Sequence, residues 1–326
     1  MLHKFTLRQL LKTAEWSDIR ATYRCERDPD VWALSVLLIL LDSGRFAADA
    51  RYREALIANL YHRFWHFEDE RNDLKPSDCP AVAETGVLAD LPEDLVIFLN
   101  QIPNHARQLK ASIDSPNHDV INAIEYAQKI LAQVKDPRTR YLPEPFAGIS
   151  PPAMRHFLSL NDVARTGWTR TIPAFFPNSE TADLVESVAE HSMKAAFLGL
   201  CMPQADVSNS FIMGICHDHA EIIVGDIPPQ QAPDRALKHR IEHEAYAQML
   251  ADLVDTPNAG VFKQSFEQYL TSQTSVARTM HIADKLDMAL QALTYENRYS
   301  ISLEAFLVSA TEDMMQAYEA GIHPHI

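Results

Sequence analysis

Residues 214–228 read Gly-Ile-Cys-His-Asp-His-Ala-Glu-Ile-Ile-Val-Gly-Asp-Ile-Pro. This stretch places a His-Asp pair, His217 and Asp218, inside an apolar run, and Glu221 follows one helical turn after His217. A Gly-Asp turn with Asp226 comes next. Burying a His or an Asp among Ile and Val is costly unless something compensates it, and a divalent metal ion is one such compensation. The stretch therefore predicts a metal site if further ligands exist elsewhere in the chain.

The composition is that of a globular, mainly helical protein. The chain has 326 residues, of which 47% are hydrophobic and only 9 are Gly, and this length holds one large domain or two ordinary ones. The formal net charge of -15 argues against general nucleic-acid binding, which needs a basic surface. An anionic small substrate is still compatible, because a metal and a few local cations can reverse the potential in one cleft.

Cysteine usage and the apolar runs indicate a cytoplasmic protein. The four cysteines have no paired spacing and are interpreted as free thiols in a reducing compartment: Cys25, Cys79, Cys201 and Cys216. The first residues show no secretory signal. The longest apolar run, Val31 to Leu41, is too short to span a bilayer and predicts a buried helix.

The periodicity of apolar residues predicts an all-α protein in two parts. No segment alternates as a strand of a sheet would. Pro-rich residues 136–152 predict a linker, so we expect a helical domain at 1–147 and a second domain at 148–326. For the first domain, oligomerisation, partner docking and covering the active site are all open. Helices are predicted at 31–41, 53–67, 94–109, 119–134, 153–164, 185–201, 232–253 and 274–296.

Two more polar residues interrupt apolar segments in the second part. His191 lies among Ala and Val one helix before the His-Asp pair, and Asp284 lies among Ile, Ala and Leu one helix after it. With His217 and Asp218 they make a set of two His and two Asp. Such mixed nitrogen and oxygen donors, with positions left for water and substrate, suit Mn²⁺, Fe²⁺, Co²⁺, Ni²⁺ or Zn²⁺ more than Ca²⁺. The sequence therefore predicts one divalent transition metal.

Five short motifs occur in the order of a known family. They are Arg165-Thr166-Gly167-Trp168, Glu186-Ser187-Val188-Ala189-Glu190-His191-Ser192, His217-Asp218-His219-Ala220-Glu221, Gly225-Asp226-Ile227, and Asp284-Lys285-Leu286-Asp287 followed by Gln291-Ala292 and Tyr295-Glu296. The order His…His-Asp…Asp resembles the signature of the HD-domain metal-dependent phosphohydrolases. The flanking motifs resemble the 5′-deoxynucleotidase branch, whose members remove the 5′ phosphate from deoxyribonucleoside monophosphates. The resemblance covers roughly residues 153–296.

The resemblance implies a role for each matching residue. It gives the metal four ligands, namely His191, His217, Asp218 and Asp284. Glu221 would position or deprotonate the attacking water, or protonate the leaving oxygen, and Asp226 would approach the sugar and help to select a deoxyribose. Arg165 and Trp168 would line the substrate pocket, where an Arg offers a planar fork to a phosphate.

We therefore expect an HD-type helical bundle that removes the 5′ phosphate from (deoxy)nucleoside monophosphates by a metal-activated water. The alternatives are hydrolysis of a nucleoside triphosphate, a cyclic nucleotide or a guanosine alarmone, and a non-catalytic protein that senses a nucleotide. The expected partner is a small-molecule nucleotide, with no nucleic-acid polymer and no membrane. A homo-oligomer is left open.

Two other histidine patterns compete with this interpretation. His239-Arg240-Ile241-Glu242-His243 has the His-x-x-Glu-His spacing of inverted zinc peptidases, and Glu319 is a candidate third ligand. That helix is highly charged, and charged helices produce such spacing by chance, so the phosphohydrolase is favoured. His62 and His66, spaced i,i+4, are a second candidate metal pair, although an amphipathic helix explains them as well.

The remaining polar residues near the motifs receive ordinary interpretations. Glu186 and Glu190 would support the ligands or be solvated, and Asp287 would be a charge on a helix face. His219 and His281 are left without a role.

Overall fold

The structure, a computed structural model, describes residues 11, 31–41, 45–65, 156–175, 185–202, 206–227, 234–251, 253 and 258–319. Within these ranges the chain is helical apart from turns, short extended connections and one isolated bridge between Ala164 and Ser187. The all-α prediction is therefore confirmed. The predicted helices at 94–109 and 119–134, the predicted linker and His66 lie outside the described residues.

The helices are labelled in chain order: α1 (Val31–Leu41), α2 (Arg45–Ala48), α3 (Ala50–Trp65), α4 (Thr166–Thr171), α5 (Val188–Leu200), α6 (Val207–Cys216), α7 (Glu221–Val224), α8 (Arg235–Ala251), α9 (Ala259–Thr271), α10 (Ser275–Tyr299) and α11 (Glu304–Glu319). A 3-10 helix covers Ser159–Asp162. The predicted helices at 31–41, 53–67, 185–201, 232–253 and 274–296 correspond to α1, α3, α5, α8 and α10. Helices α9 and α11 were not predicted as helices.

One predicted helix is wrong over most of its described length. The segment 153–164 was expected to be a single amphipathic helix, but only His156 and Phe157 are α-helical before the 3-10 helix. Val163 is extended, and its carbonyl oxygen accepts a hydrogen bond from Val188 N–H at 2.8 Å. Pairing with the residues in front of α5 replaces helical hydrogen bonds here, because tertiary contacts override local periodicity.

Helix α5 is the centre of the bundle. It begins at a capping box, in which the Ser187 side chain accepts from Glu190 N–H and the Glu190 carboxylate accepts from Ser187 N–H at 2.9 Å. All residues of α5 except Glu190 are buried, as expected for a helix surrounded by others. The polar residues His191 and Lys194 are therefore inside the protein rather than on a solvated face.

Two glycines let neighbouring helices approach α5 closely. A Cβ at Gly214 of α6 would overlap the backbone of Ala196, and a Cβ at Gly199 would overlap the Met280 side chain of α10. The approach to the Ala196 backbone requires a residue without a side chain at Gly214, whereas the flexible Met280 side chain could move away from a Cβ at Gly199. The Gly214 contact holds α6 against α5, and His217 and Asp218 follow at the carboxyl end of α6.

The N-terminal helices pack on this bundle and share its hydrophobic core. The Trp32 indole N–H of α1 donates to the Ile215 carbonyl of α6 at 2.8 Å. Phe64 of α3 packs near Phe197 of α5, with ring centroids 6.0 Å apart. The predicted boundary at residues 147/148 lies outside the described residues and stays a prediction. None of the helices in the described ranges combines the length and apolar character needed to cross a membrane.

Candidate active site and metal centre

Three helical segments bring the four predicted ligands together. His191 Nε2 lies 3.4 Å from Asp218 Oδ2 and 3.2 Å from Asp284 Oδ1. His217 Nε2 lies 3.2 Å from the same Asp218 oxygen. Donor atoms of His191, His217 and Asp218 all lie within 4.8 Å of one another, which is close enough for one ion to contact them together. The chain thus places two nitrogens and the Asp218 carboxylate around one point, with the Asp284 carboxylate beside His191.

The two imidazoles are oriented as metal ligands. The His217 Nδ1–H donates to the Gly214 carbonyl at 2.7 Å, and His191 Nδ1 is 2.6 Å from Asp287 Oδ2. With the protons on Nδ1, each Nε2 carries a lone pair. Neither Nε2 atom has a hydrogen-bond partner among the described residues, although both are buried. Two buried, unsatisfied nitrogen acceptors next to carboxylates fit a divalent cation.

The electrostatics at these residues favour a bound cation. Burial and then the Arg165 charge lower the pKa of His191, but the carboxylates of Asp218, Asp284 and Asp287 outweigh both and hold it well above the usual value. Burial raises the pKa of Asp218 and of Asp284, yet the neighbouring His217 and Lys285, respectively, outweigh burial and hold both pKa values well below normal. The carboxylates therefore stay ionised, and a metal ion would compete with the proton on His191.

Glu221 lies at the start of α7, immediately beyond this cluster. Its side chain is buried, and its Oε2 has no hydrogen-bond partner among the described residues. Burial, followed by the negative charges of Asp218 and Asp226, raises the pKa of Glu221 well above its usual value, whereas Arg165 opposes the shift. A buried carboxyl group with a raised pKa binds a proton more readily than an ordinary Glu, as the proton-transfer groups of active sites do.

Arg165 contacts Asp218, and Asp226 contacts the residue that follows Arg165. The Arg165 Nη1 lies 3.5 Å from Asp218 Oδ2. Burial lowers the pKa of Arg165, but Asp226, Asp218 and Glu221 together raise it further than burial lowers it, so the guanidinium stays charged. The Asp226 Oδ2 accepts from Thr166 N–H at 2.5 Å, at the first residue of α4. Gly225 makes this turn with φ +73, a left-handed conformation that favours glycine.

Trp168 is more enclosed than a pocket-lining residue was expected to be. Its side chain is 2% exposed, and its ring lies 4.2 Å from the Phe306 ring and 5.4 Å from the Tyr295 ring, measured between centroids. The indole N–H donates to Glu186 Oε1 at 3.0 Å. The structure therefore gives Trp168 a packing role, and contact with a substrate stays a prediction.

Two carboxylates support the site: Glu186, for which support of the ligands was one of two predicted alternatives, and Asp287, which was predicted to be a charge on a helix face. Asp287 was expected on a helix face, but its side chain is fully buried and contacts His191. Glu186 is also buried and accepts from Lys194 Nζ, and Lys194 was missed altogether. A signal existed, because Lys194 is a lone cation in an apolar helix three residues after His191 and Asp287 is three residues after Asp284.

The two histidines without an assigned role are structural neighbours of the site. His219 Nε2–H donates to the Phe157 carbonyl at 2.6 Å, and burial lowers the pKa of His219 to about 4. The His281 ring lies 4.1 Å from the ring of Tyr269, whose hydroxyl donates to Asp284 Oδ2 at 3.4 Å. Burial lowers the pKa of His281 to about 4 as well. Both imidazoles are therefore neutral at pH 7.

The competing peptidase motif does not form a cluster among the described residues. His243 is exposed and lies 3.3 Å from Glu267 of α9. Within the described ranges, groups of three donors occur only around His191: one with His217 and Asp218, the other with Glu186 and Asp287. The Glu319 side chain, the His62 side chain and His66 lie outside what the structure describes, so the second candidate metal pair stays a prediction.

Known proteins are similar to the C-terminal half of the chain. The protein-family model described as HD domain matches residues 159–322. The 5′-deoxynucleotidase hdd1 of Schizosaccharomyces pombe is 29% identical over 146 residues, which are 43% of this chain and 69% of that protein. The 5′-deoxynucleotidase HDDC2 of Danio rerio is 31% identical over 139 residues, 42% of this chain and 64% of that protein. The chain thus spans slightly under two thirds of the zebrafish protein.

One solved structure is similar to about half of the chain. A conserved hypothetical protein from Pyrococcus furiosus is 27% identical, and the match covers 52% of this chain and 98% of that one. The TM-score is 0.39.

Proposed function

The chain belongs to the HD domain family, and we propose that its site removes the 5′ phosphate from nucleoside monophosphates, with deoxyribonucleotides preferred. The family and the relatives named 5′-deoxynucleotidase support a metal-dependent phosphohydrolase. We propose His191, His217, Asp218 and Asp284 as the ligands of one divalent transition metal, of the group Mn²⁺, Co²⁺, Fe²⁺, Ni²⁺ and Zn²⁺.

The observation that carries this proposal is the pair of buried Nε2 atoms. His191 and His217 each direct an Nε2 without a hydrogen-bond partner in the described structure toward carboxylates at 3.2–3.4 Å. Leaving two buried acceptors unsatisfied is costly in a merely structural arrangement. When bound, a divalent metal supplies a Lewis acid for the phosphoryl group and makes its water more acidic.

Arg165 and Glu221 are proposed to have different roles in the hydrolysis of the phosphomonoester. Water attacks phosphorus, the bond from phosphorus to the 5′ oxygen breaks, and the nucleoside leaves after its oxygen gains a proton. Arg165 is proposed to hold the phosphate oxygens, since its charged guanidinium reaches the carboxylate of Asp218. Glu221 is proposed to take the proton from water or give it to the leaving oxygen, because its raised pKa suits both tasks.

Asp226 is proposed to contact the sugar. It lies on the turn that contacts the first residue of α4, next to Arg165, where a carboxylate held against the 2′ position of the sugar would crowd the 2′-hydroxyl of a ribonucleotide. Trp168 is proposed to hold this segment in place through its packing. The free thiols of Cys201 and Cys216 support a reducing compartment, so we propose the cytoplasm.

Phosphate release from a substrate panel tests the proposal. Purified protein is stripped with a chelator and reloaded with each of the five metals. It is then given deoxyribonucleoside and ribonucleoside 5′-monophosphates, a triphosphate, a cyclic nucleotide and a guanosine alarmone. We expect metal-dependent phosphate release, fastest from a deoxyribonucleoside 5′-monophosphate. Faster turnover of another nucleotide class would replace the proposed substrate by that class.

The Asp218→Ala variant is the control for the site. Asp218 is the residue that both imidazoles contact, so its loss should abolish metal content and phosphate release together. Full activity in Asp218→Ala would exclude this site as the catalytic one. Nucleotide binding without turnover, in a wild-type protein that holds its metal, would favour the sensing alternative.

A further inference from the structure

A second group of charged side chains lies behind His191, on the Nδ1 side of its ring. Asp287 Oδ2 accepts from His191 Nδ1–H at 2.6 Å, and Asp287 Oδ1 is 3.3 Å from Lys194 Nζ. Lys194 Nζ also donates to Glu186 Oε2 and, at 2.8 Å, to Gln291 Oε1. The side chains of His191, Lys194, Glu186 and Asp287 are all 0% exposed.

Burying these charges is not explained by stability alone. Buried ion pairs are frequently no better than apolar residues of the same volume, because desolvation offsets their attraction. The two carboxylates and one ammonium do, however, hold one another in place. The Lys194 ammonium contacts the carboxylates of both Glu186 and Asp287. It binds Oδ1 of Asp287, so Oδ2 of the same carboxylate accepts from His191 Nδ1–H.

This group has the donor atoms of a metal site, but its carboxylates already contact the Lys194 ammonium. Glu186, His191 and Asp287 place three donor atoms within 4.8 Å of one another. Lys194 Nζ contacts both of these carboxylates, so an ammonium already occupies the place where a second ion would bind. The only imidazole nitrogen of His191 left for a metal is Nε2, which faces Asp218 and Asp284.

We propose that Asp287, held by Lys194, is a positioning residue that fixes the ring of His191 with Nε2 directed at the proposed metal, and that the Lys194 ammonium restricts the site to a single metal. This inference rests on the proposed function, because it takes His191 as a ligand. A hydrogen-bonded partner on the far nitrogen orients a ligand imidazole and increases its basicity. The same network reaches the Arg165–Trp168 segment, since Glu186 Oε1 accepts from the Trp168 indole N–H at 3.0 Å.

Two isosteric variants separate positioning from general support of the fold. Asp287→Asn and Glu186→Gln each convert one buried carboxylate that contacts Lys194 into an amide, but only Asp287 contacts His191. We expect Asp287→Asn to weaken metal binding about tenfold to a hundredfold, and Glu186→Gln to change it less than about threefold. Metal affinity is measured on the full chain without substrate, by competition with a chromophoric chelator for Mn²⁺, Co²⁺ and Zn²⁺.

Ser187→Ala controls for simple loss of stability in α5. It removes the N-cap of the same helix without touching the network, so it should lower the unfolding midpoint and leave metal affinity unchanged. Equal metal affinity in Asp287→Asn and Glu186→Gln would overturn the proposal, as would a wild-type protein that binds no divalent metal or binds two per chain.

A further variant keeps the proposal testable if Asp287→Asn does not fold, as judged by circular dichroism. Lys194→Met removes the ammonium but leaves His191 and Asp287 in place, so a threefold or greater loss of metal affinity supports the proposal and unchanged affinity overturns it. The variants could shift metal affinity as expected while the wild-type protein releases no phosphate from any nucleotide. That result would contradict the proposed function but would still support the positioning role of Asp287.

Discussion

Glu221 combines deep burial with a carboxylate oxygen that no described residue hydrogen-bonds. Replacing it by Gln keeps the shape of the side chain and removes only its ability to carry a proton between water and the leaving oxygen. We expect Glu221→Gln to retain the metal and to lower kcat by about 10²–10⁴-fold, the usual range for loss of a general acid or base. Metal content and initial rates are measured on the same preparation.

The matched control for Glu221→Gln is Glu242→Gln. Glu242 is a partly buried carboxylate on α8 whose pKa is raised by burial, but its direct partner is Lys238 rather than a proposed ligand. A loss of turnover confined to Glu221→Gln supports its role in proton transfer. Wild-type turnover in Glu221→Gln would remove this residue from the mechanism.

Asp226 has a structural task that must be separated from sugar recognition. Its carboxylate accepts from Thr166 N–H, so Asp226→Ala would disturb α4 and Arg165 together. Asp226→Asn keeps an acceptor for that N–H and removes the charge. We expect Asp226→Asn to fold normally and to reduce the ratio of deoxy to ribo activity by about threefold to tenfold, because the amide can donate to a 2′-hydroxyl and ribonucleotides gain about the net worth of one hydrogen bond. Rates for paired deoxy and ribo monophosphates measure it, and an unchanged ratio would place sugar recognition elsewhere.

The ligand candidates could be predicted from sequence because His191 and Asp284 are single polar residues in apolar segments and His217-Asp218 is a polar pair inside an apolar run. His191 and Asp284 stand out in this way, and the structure places His191 Nε2 3.2 Å from Asp284 Oδ1. The same signal marks Lys194 and Asp287 as buried, but it does not say which groups they pair with. Pairing depends on how α5 and α10 are placed relative to each other, and one sequence does not contain that information. The support behind His191 was missed for this reason.

Helix α8 brings a second cation to the edge of the site. Lys238 lies 3.3 Å from Glu242 on the same helix, and its side chain is 28% exposed. Burial lowers the pKa of Lys238, but Glu242, Asp218 and Glu221 outweigh it and raise that pKa, which places the ammonium within electrostatic reach of the proposed catalytic groups. An exposed cation at this position would attract a dianionic phosphate.

Lys238→Met should therefore weaken the binding of substrate. We expect KM for a nucleoside monophosphate to rise about threefold to tenfold with kcat nearly unchanged, and the effect to shrink at high salt because screening weakens exposed charges. Lys263→Met is the control, since Lys263 on α9 is an exposed lysine that pairs weakly with Glu267. Equal KM values in the two variants and in wild type would exclude a role for Lys238 in binding.

Helices were predictable from sequence where composition changes sharply at both ends. Helix α1 has the predicted bounds because an apolar block lies between Pro29-Asp30 and Asp42-Ser43-Gly44. Helix α9 was missed, and it begins at Asn258, whose side chain makes no cap hydrogen bond. The 153–164 helix was wrong because its residues are spaced as a helix but are used for the bridge to Ser187. Pairing between distant segments does not appear in local periodicity.

At the scale of the whole molecule, the N-terminal helices complete the surroundings of the metal-binding segment. The Trp32 indole contacts the last turn of α6, two residues before His217 ends that helix. The Trp32 ring also lies 5.0 Å from the His219 ring, edge to face, and His219 follows Asp218 directly. Ile215 and His219, which lie on either side of the proposed His217-Asp218 ligand pair, thus both contact a residue nearly two hundred positions away. A segment outside the match at residues 159–322 therefore packs against the residues that flank the site.

Trp32→Phe tests this coupling across the molecule. The variant keeps an aromatic ring against His219 but leaves the Ile215 carbonyl, one of the last in α6, without its indole donor. An unsatisfied buried carbonyl costs about 1–3 kcal/mol, so we expect a lower free energy of unfolding in urea and a weaker metal affinity by about threefold. Asn258→Ala is the control, because Asn258 Nδ2–H donates to the Ile39 carbonyl of α1 at 2.7 Å, away from the ligands. Equal destabilisation with unchanged metal affinity in both variants would show that α1 supports the core but not the metal centre.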